Sequence, residues 1–315
     1  MHKILSSTEE NIILAKEKIN SDELVAFPTE TVYGLGGNAY SDIAVSKIFE
    51  FKNRPKFNPL PICYPNLERA SNDVYITETA QKLAKVFMPG PLTLLLRRQL
   101  NSRLSWLASN GLDTVCVRIP SHPVAQKLLA LLDFPLAVPS ANKSSKISPT
   151  TAQEVSESLK DNDKLMILDG GRCNIGIEST IVDLTDEKPK ILRYGAISEE
   201  EIFEKCGLIF EKNQNSVQAF NSIKHYITSK KIKINVSEVG KNDALLAFGK
   251  PLENQCQNVL NLSSSGDLNE AAANFFSMLQ QLDATNAENI CIMPIPEVGI
   301  GVALNDRIRK AAEGK

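Results

Sequence analysis

Short apolar runs that alternate with helical patterns constrain this chain more than any other feature. Leu24-Val25-Ala26-Phe27 has the length and content of a buried strand and is stopped by Pro28. Residues 41–51 then place Ala44, Val45, Ile48 and Phe49 on one helical face, with Ser41 or Asp42 as the cap. A second helix is predicted over 77–87, ended by Pro89-Gly90-Pro91. Strands are predicted at 92–96, 114–119, 136–138, 164–168 and 179–184, with helices at 123–132 and 151–159 between some of them. Strand runs that follow one another without a helix imply an α/β fold with a mixed, not purely parallel, sheet.

After Gly207 the pattern loosens. Residues 211–228 are rich in Asn, Gln, Ser and Lys and read as a linker. A second α/β unit follows, with strands at 244–248, 258–262 and 290–295 and helices at 268–282 and 303–312. A chain of 315 residues is long for one domain, and the expected division is 1–207, a linker or lid over 208–235, and a small α/β domain over 236–315.

Composition narrows the class. Hydrophobic residues make up 43% and charged residues 23%, enough apolar material for a sizeable core. A net charge of -2 argues against bulk attraction to nucleic acid or an anionic membrane, so any polyanion site must be a local basic cluster. The six cysteines form no CxxC pair, which disfavours structural zinc and a disulfide framework and fits a reducing cytoplasm. None of the three histidines sits in a metal-ligand motif, so no metal-ligating residues are expected. No signal peptide and no membrane span are expected.

Chemistry concentrates at strand ends. Phe27-Pro28-Thr29-Glu30-Thr31-Val32-Tyr33-Gly34-Leu35-Gly36 reads as a strand running through hydroxyl residues and glycines toward a helix. Lys52-Asn53-Arg54-Pro55-Lys56 puts three cations in a proline-stiffened loop, suited to a phosphate or carboxylate and also to the helix C-terminus it follows. Thr114, Cys116 and Arg118 share one face of a strand. Val138-Pro139-Ser140-Ala141-Asn142 and Ile147-Ser148-Pro149-Thr150 are rich in hydroxyls and also offer helix caps. Fixed cations and hydroxyls recur, while a histidine base and an activated cysteine are missing from these clusters. That pattern suits a site that positions anions.

Taken together, Phe27 to Gly36, Lys52-x-Arg54-Pro-x-x-Asn58-Pro-Leu60, Pro139-Ser-Ala-Asn142, Ser179-Thr-Ile-Val-Asp183 and Arg193-x-Gly195 closely resemble the YrdC-like family of threonylcarbamoyl-AMP synthases. The match runs in order from about residue 9 to 200. Leu246-Ala-Phe-Gly249, Gly299-Ile-Gly301 and Asp306-Arg307 are similar to the extra domain of the long, two-domain members. The resemblance implies a twisted YrdC-like sheet with a basic cleft. It also implies a nucleotidyltransferase that converts L-threonine, bicarbonate and ATP, with Mg2+ carried on the nucleotide, into threonylcarbamoyl-AMP and pyrophosphate. A tRNA threonylcarbamoyl-transferase complex would act downstream, and weak RNA binding is a secondary expectation. By motif position, Thr31, Cys63, Arg118 and Ser179 should hold threonine. Lys52, Arg54, Asn58, Thr114, Val138, Ser140, Ser148, Arg193 and Tyr226 should hold ATP, with Lys52 and Arg54 catalytic.

Two departures stand out. Cys63 falls where the family commonly has histidine, and His225-Tyr226 is flanked by Ala219-Phe220 and Ile227-Thr228 in place of the usual Pro-Gly and Ala-Pro pairs. Competing readings are an RNA-binding module on the same cations, a carbamoyl-transfer enzyme for metal-cofactor maturation, and a homologue with a different amino-acid substrate.

Overall fold

The computed structural model describes residues 3–55, 58–161, 164–211, 225–252 and 256–314. Strand β1 (Lys3–Ser6) and helix α1 (Glu9–Asn20) open the chain, the helix capped by Thr8. There follow β2 (Val25–Phe27), β3 (Gly34–Asn38), α2 (Asp42–Lys52), β4 (Ile62–Cys63), α3 (Leu67–Ala70), α4 (Glu78–Phe87), β5 (Leu92–Arg97) and β6 (Thr114–Arg118). Then come α5 (Pro123–Ala130), β7 (Leu136–Ala137), α6 (Ala152–Ser158), β8 (Met166–Asp169), β9 (Thr180–Asp183), β10 (Lys190–Arg193) and α7 (Glu199–Cys206). These strands join in one mixed sheet, in the order β1-β8-β2-β3-β7-β4-β6-β5-β9-β10.

Alternation along β2 shows how the sheet is covered. Ala26 faces a core shared with Val45 and Ile48 of α2 and Leu83 of α4, while Val25 and Phe27 face one shared with Ile12 and Ile19 of α1 and Leu128 of α5. Helices on both faces bury the sheet, and its mixed pairing is the one the strand runs predicted.

The glycine-rich segment corrects its sequence reading. It does not run from strand into helix: Gly34 to Asn38 form β3, antiparallel to β2, with Phe27 opposite Gly34. A Cβ on Gly34 would lie 2.3 Å from Val138 Cγ1, so the missing side chain lets the strand press against the segment that follows β7. The turn between β2 and β3, residues 28–33, is what the chain offers to the site.

A second sheet is wholly parallel. It takes β11 (Lys231–Lys233), β12 (Ala244–Ala247), β13 (Asn258–Asn261) and, after α8 (Leu268–Asp283), β14 (Asn289–Ile292), in the order β11-β14-β12-β13. Helix α9 (Ile300–Ala312) follows. Strand β11 lies inside the segment expected as linker, so 208–235 contributes a strand to the small sheet. Residues 212–224 of the expected lid lie outside the described residues.

The two sheets share an apolar seam. Val32, Ile147 and Ile177 of the large domain belong to the same core as Phe275, Phe276, Ile292 and Leu304 of the small one. At Gly176 (φ +77°) a Cβ would meet Ala272 O of α8 at 2.5 Å, so a glycine in the left-handed region allows the helix backbone to sit directly on the loop. All three apolar contacts come from loops that border the site.

Candidate active site

These loops enclose a cavity. Its wall is made by the β2–β3 turn, the loop after α2, the ends of β4 and β6, the segment after β7, residues 178–181, Arg193, the pair His225-Tyr226, and Lys310 of α9. Of the residues singled out in the sequence, Lys52, Arg54, Asn58, Cys63, Arg118, Val138, Ser140, Ser148, Ser179, Arg193 and Tyr226 meet there. Thr31 and Thr114 do not line it. Thr31 is fully buried behind Arg118, whose Nη2 donates to Thr31 Oγ1 at 2.6 Å. Thr114 opens β6 opposite Arg97, away from the wall.

The cations are fixed by the fold. Lys52 ends α2 and is 1% exposed, and its ammonium donates to the carbonyl of Ser140 at 2.6 Å and to that of Asn142. Burial, and then the Arg54 charge, push this ammonium well below the usual lysine range. Asn53 closes α2 in the left-handed conformation (φ 50°, ψ 42°), which turns the chain so that Arg54 faces the cavity. Arg54 Nε donates to Asn58 O at 3.2 Å and Nη2 to Pro59 O at 3.0 Å. Burial and the nearby Arg193 charge lower Arg54 to about 10. Arg193 in turn donates to Ser179 O and Ser179 Oγ, both at 3.0 Å. Three crowded cations bonded to carbonyls and a hydroxyl, each disfavoured by burial, form a receptor for a polyanion.

Arg118 makes a different environment. Its Nη2 pairs with Glu30 Oε1 at 2.8 Å, and Glu30 Oε2 accepts the Ser121 N–H at 2.9 Å. Burial works to raise the Glu30 carboxyl, but the Arg118 charge and hydrogen bond, together with backbone N–H donors that include Ser121, outweigh it and hold the group below the usual carboxylate range. Arg118 Nε is buried with no hydrogen-bond partner among the described residues. Arg118 lines the cavity beside Thr29 and Ser179, and a charged, rigid fork with one donor unpartnered suits a carboxylate. Cys63 sits beside it, 1% exposed, its thiol pushed up by burial to about 12, so it acts as a neutral, shape-defining wall.

Glu178 links the site to the small domain. Its Oε1 accepts from Ser148 Oγ at 2.9 Å and from the Tyr226 hydroxyl at 3.0 Å, and its Oε2 accepts from Arg307 Nε at 3.1 Å. Burial works to raise this carboxyl too, but Arg307 and Arg193 more than offset it and hold it at about 2. Tyr226 itself is in the left-handed region (φ 58°) and packs at a tilt of 32° against Phe276 of α8, with ring centroids 5.0 Å apart. His225, lowered by burial to about 4, is neutral near pH 7.

Since Glu178 titrates near 2 when folded and at about 4.3 when unfolded, its contribution is complete above about 4.3 and is lost as the pH falls toward 2. The difference in unfolding free energy between the wild type and Glu178→Gln should therefore shrink by about 3 kcal/mol on acidification through that window. Denaturant titrations of both proteins across that range check this, and a difference independent of pH would contradict it.

Sequence reasoning assigned no site role to Glu178, Thr93, Arg307 or Lys310. Thr93 interrupts a leucine strand, is 1% exposed, and shares a 2.8 Å hydrogen bond with Ser179 Oγ. A lone polar residue on an apolar strand was the available signal. Arg307 falls on the apolar stripe of α9 between Leu304 and Ile308, an equally readable anomaly.

Deep burial of cations and hydroxyls at the strand ends of a mixed sheet defines an α/β protein that positions anions. Comparison with known proteins gives the family. Residues 17–195 match the family model described as "Telomere recombination", and 204–313 match "Threonylcarbamoyl-AMP synthase, C-terminal domain". The chain is 37% identical to the threonylcarbamoyl-AMP synthase of Pyrococcus abyssi over 96% of this chain and 94% of that one. It is 33% identical to the Bacillus subtilis threonylcarbamoyl-AMP synthase, over 99% and 95%. The crystal structure of the P. abyssi Sua5 protein in complex with L-threonine superposes with a TM-score of 0.88, at 35% identity and over 100% of this chain and 97% of that one. The chain belongs to the two-domain threonylcarbamoyl-AMP synthase family.

Proposed function

We propose that this protein is a nucleotidyltransferase that makes threonylcarbamoyl-AMP and pyrophosphate from L-threonine, bicarbonate and Mg-ATP. The observation that carries this reading is one cavity with two cationic subsites: the Glu30-paired Arg118 with its free Nε, and the Lys52, Arg54 and Arg193 cluster.

The reaction needs that arrangement. The threonine amine adds to carbon dioxide derived from bicarbonate and loses a proton, giving a carbamate. A carbamate oxygen then forms a bond to the α-phosphorus, and the bond from that phosphorus to the bridging oxygen breaks, releasing pyrophosphate. Two anions must be held in line and away from water, which is worth about 7–11 kcal/mol at its best. Arg118 would hold the threonine carboxylate, and Lys52, Arg54 and Arg193 the triphosphate, drawing off charge as pyrophosphate leaves. Ser140 and Asn142, whose carbonyls seat Lys52, fix the geometry of that cluster. Among the described residues no three His, Cys, Asp or Glu side chains are grouped to hold a metal. Mg2+ in this reading arrives on the phosphates, with water completing its shell. His225, lowered by burial to about 4, is a weak base near pH 7, and in this reading solvent or a substrate phosphate takes the amine proton.

No described helix is long and apolar enough to cross a membrane, and Cys63, Cys116, Cys173, Cys206 and Cys291 are buried thiols outside any disulfide. Both fit a cytoplasmic enzyme whose labile product passes to a tRNA-modifying complex. Purified protein with Mg-ATP, L-threonine and isotopically labelled bicarbonate should release pyrophosphate and yield an adenylate carrying the label. Pyrophosphate release without threonine, or an adenylate without the label, would overturn the reading.

A further inference from the structure

Helix α9 docks on the large domain by a face that carries charge as well as apolar side chains. Ala303, Leu304, Ile308 and Ala311 enter the shared core. Arg307, on the same face, is fully buried and reaches Glu178 from Nε at 3.1 Å. Three residues on, and so on the same side of the helix, Lys310 joins the cavity wall together with His225 and Arg193. Its ammonium donates to Asp306 Oδ2 at 2.8 Å, and its side chain is 16% exposed. That oxygen is shared, since Arg307 Nη1 also donates to it at 3.0 Å. Asp306 and Glu178 balance Lys310 and Arg307, and the charge of Arg193, bonded to Ser179 O and Oγ, is left over at the cavity.

We propose that Lys310 is a phosphate-binding residue, delivered by α9 to the triphosphate of the nucleotide, so that the small domain supplies part of the nucleotide site. This rests on the nucleotidyltransferase reading above. Lys310, Arg193 and Arg54 line the same cavity as His225, and the charges of all three act on it. Burial lowers the Lys310 ammonium and Asp306 opposes this, while Arg307 and Arg193 lower it further; an arriving polyanion relieves that crowding. An ammonium on a flexible stem can follow a phosphate while Asp306 keeps it aimed at the cavity. The Arg307–Glu178 pair sets the depth of the helix, and with it the reach of Lys310. The role also gives the apolar seam a purpose, since domain docking becomes a condition for full nucleotide affinity.

Calorimetric titration of the full-length protein with Mg-ATP, and separately with inorganic pyrophosphate, tests this on Lys310→Gln and Lys310→Arg. Lys310→Gln should bind both about tenfold more weakly, as expected for loss of one hydrogen bond to a charged group. Its KM for threonine and its thermal midpoint should stay at the wild-type values, and Lys310→Arg should restore most of the affinity. Wild-type affinity of Lys310→Gln for both ligands would overturn the proposal. So would equal weakening toward ATP and threonine accompanied by a lowered midpoint, which marks a purely structural lysine. Failure of the wild type to form the adenylate would instead count against the reading of the reaction, and the calorimetry would still decide whether Lys310 meets phosphate.

Discussion

Alanine in place of Arg54 lowers the rate of adenylate formation by about 10²–10³-fold, the loss typical of one preorganised donor aimed at developing charge. The residue is held by more than its own side chain. Asn53 in the left-handed conformation sets the turn, and the carbonyls of Asn58 and Pro59 fix the guanidinium before any substrate arrives. Because the fork is already oriented, its benefit falls on the transition state, and kcat should drop more than KM for threonine rises. Steady-state kinetics with each substrate varied in turn measures the split. Near-normal turnover in Arg54→Ala would remove this residue from the mechanism.

Replacing Arg118 with alanine acts on folding as well as on binding. Glu30 stays buried, keeps the Ser121 N–H, and loses its only ion-pair partner among the described residues. Breaking a buried pair from one side costs about 3–5 kcal/mol. The Arg118 charge that held the carboxyl down is gone while burial still raises it, so the deficit is largest above the raised value and shrinks as falling pH protonates Glu30. Adding Glu30→Gln should recover much of the stability and none of the threonine affinity. Denaturation curves and threonine titrations on the two variants check both halves. A double variant that regained threonine binding would show that Arg118 serves only to neutralise Glu30.

Much of this site was legible because its residues sit at strand ends marked by proline, glycine and hydroxyls. Ser41, one of the two caps the sequence offered, caps α2, and α4 begins one residue after its predicted start with Thr77 as the cap. Lys52 and Arg54 could be found because a helix stop and a proline enclose them. The glycines of β3 misled for a physical reason: a strand that needs close packing against Val138 gives up the branched side chains by which strands are usually read. The short strand β4 gave no periodic signal, since it has two residues. Thr31 lies behind Arg118 because alternation along a tight turn decides which hydroxyl faces the cavity, and spacing alone does not resolve it. Arg307 and Lys310 depend on how two domains dock, a relation between segments far apart in the chain. A charged residue on the apolar stripe of α9 was the trace it left in the sequence.

In the proposed function, one cavity holds threonine at Arg118 and the triphosphate at Lys52, Arg54 and Arg193, in line for attack. A crystal structure with L-threonine and a non-hydrolysable ATP analogue tests it most directly. The expected result is the threonine carboxylate within hydrogen-bond reach of Arg118, the phosphates on the three other cations, and the amine facing the α-phosphorus. Phosphates seated on Arg118, or the two ligands in separate places, would rule out this division of the cavity.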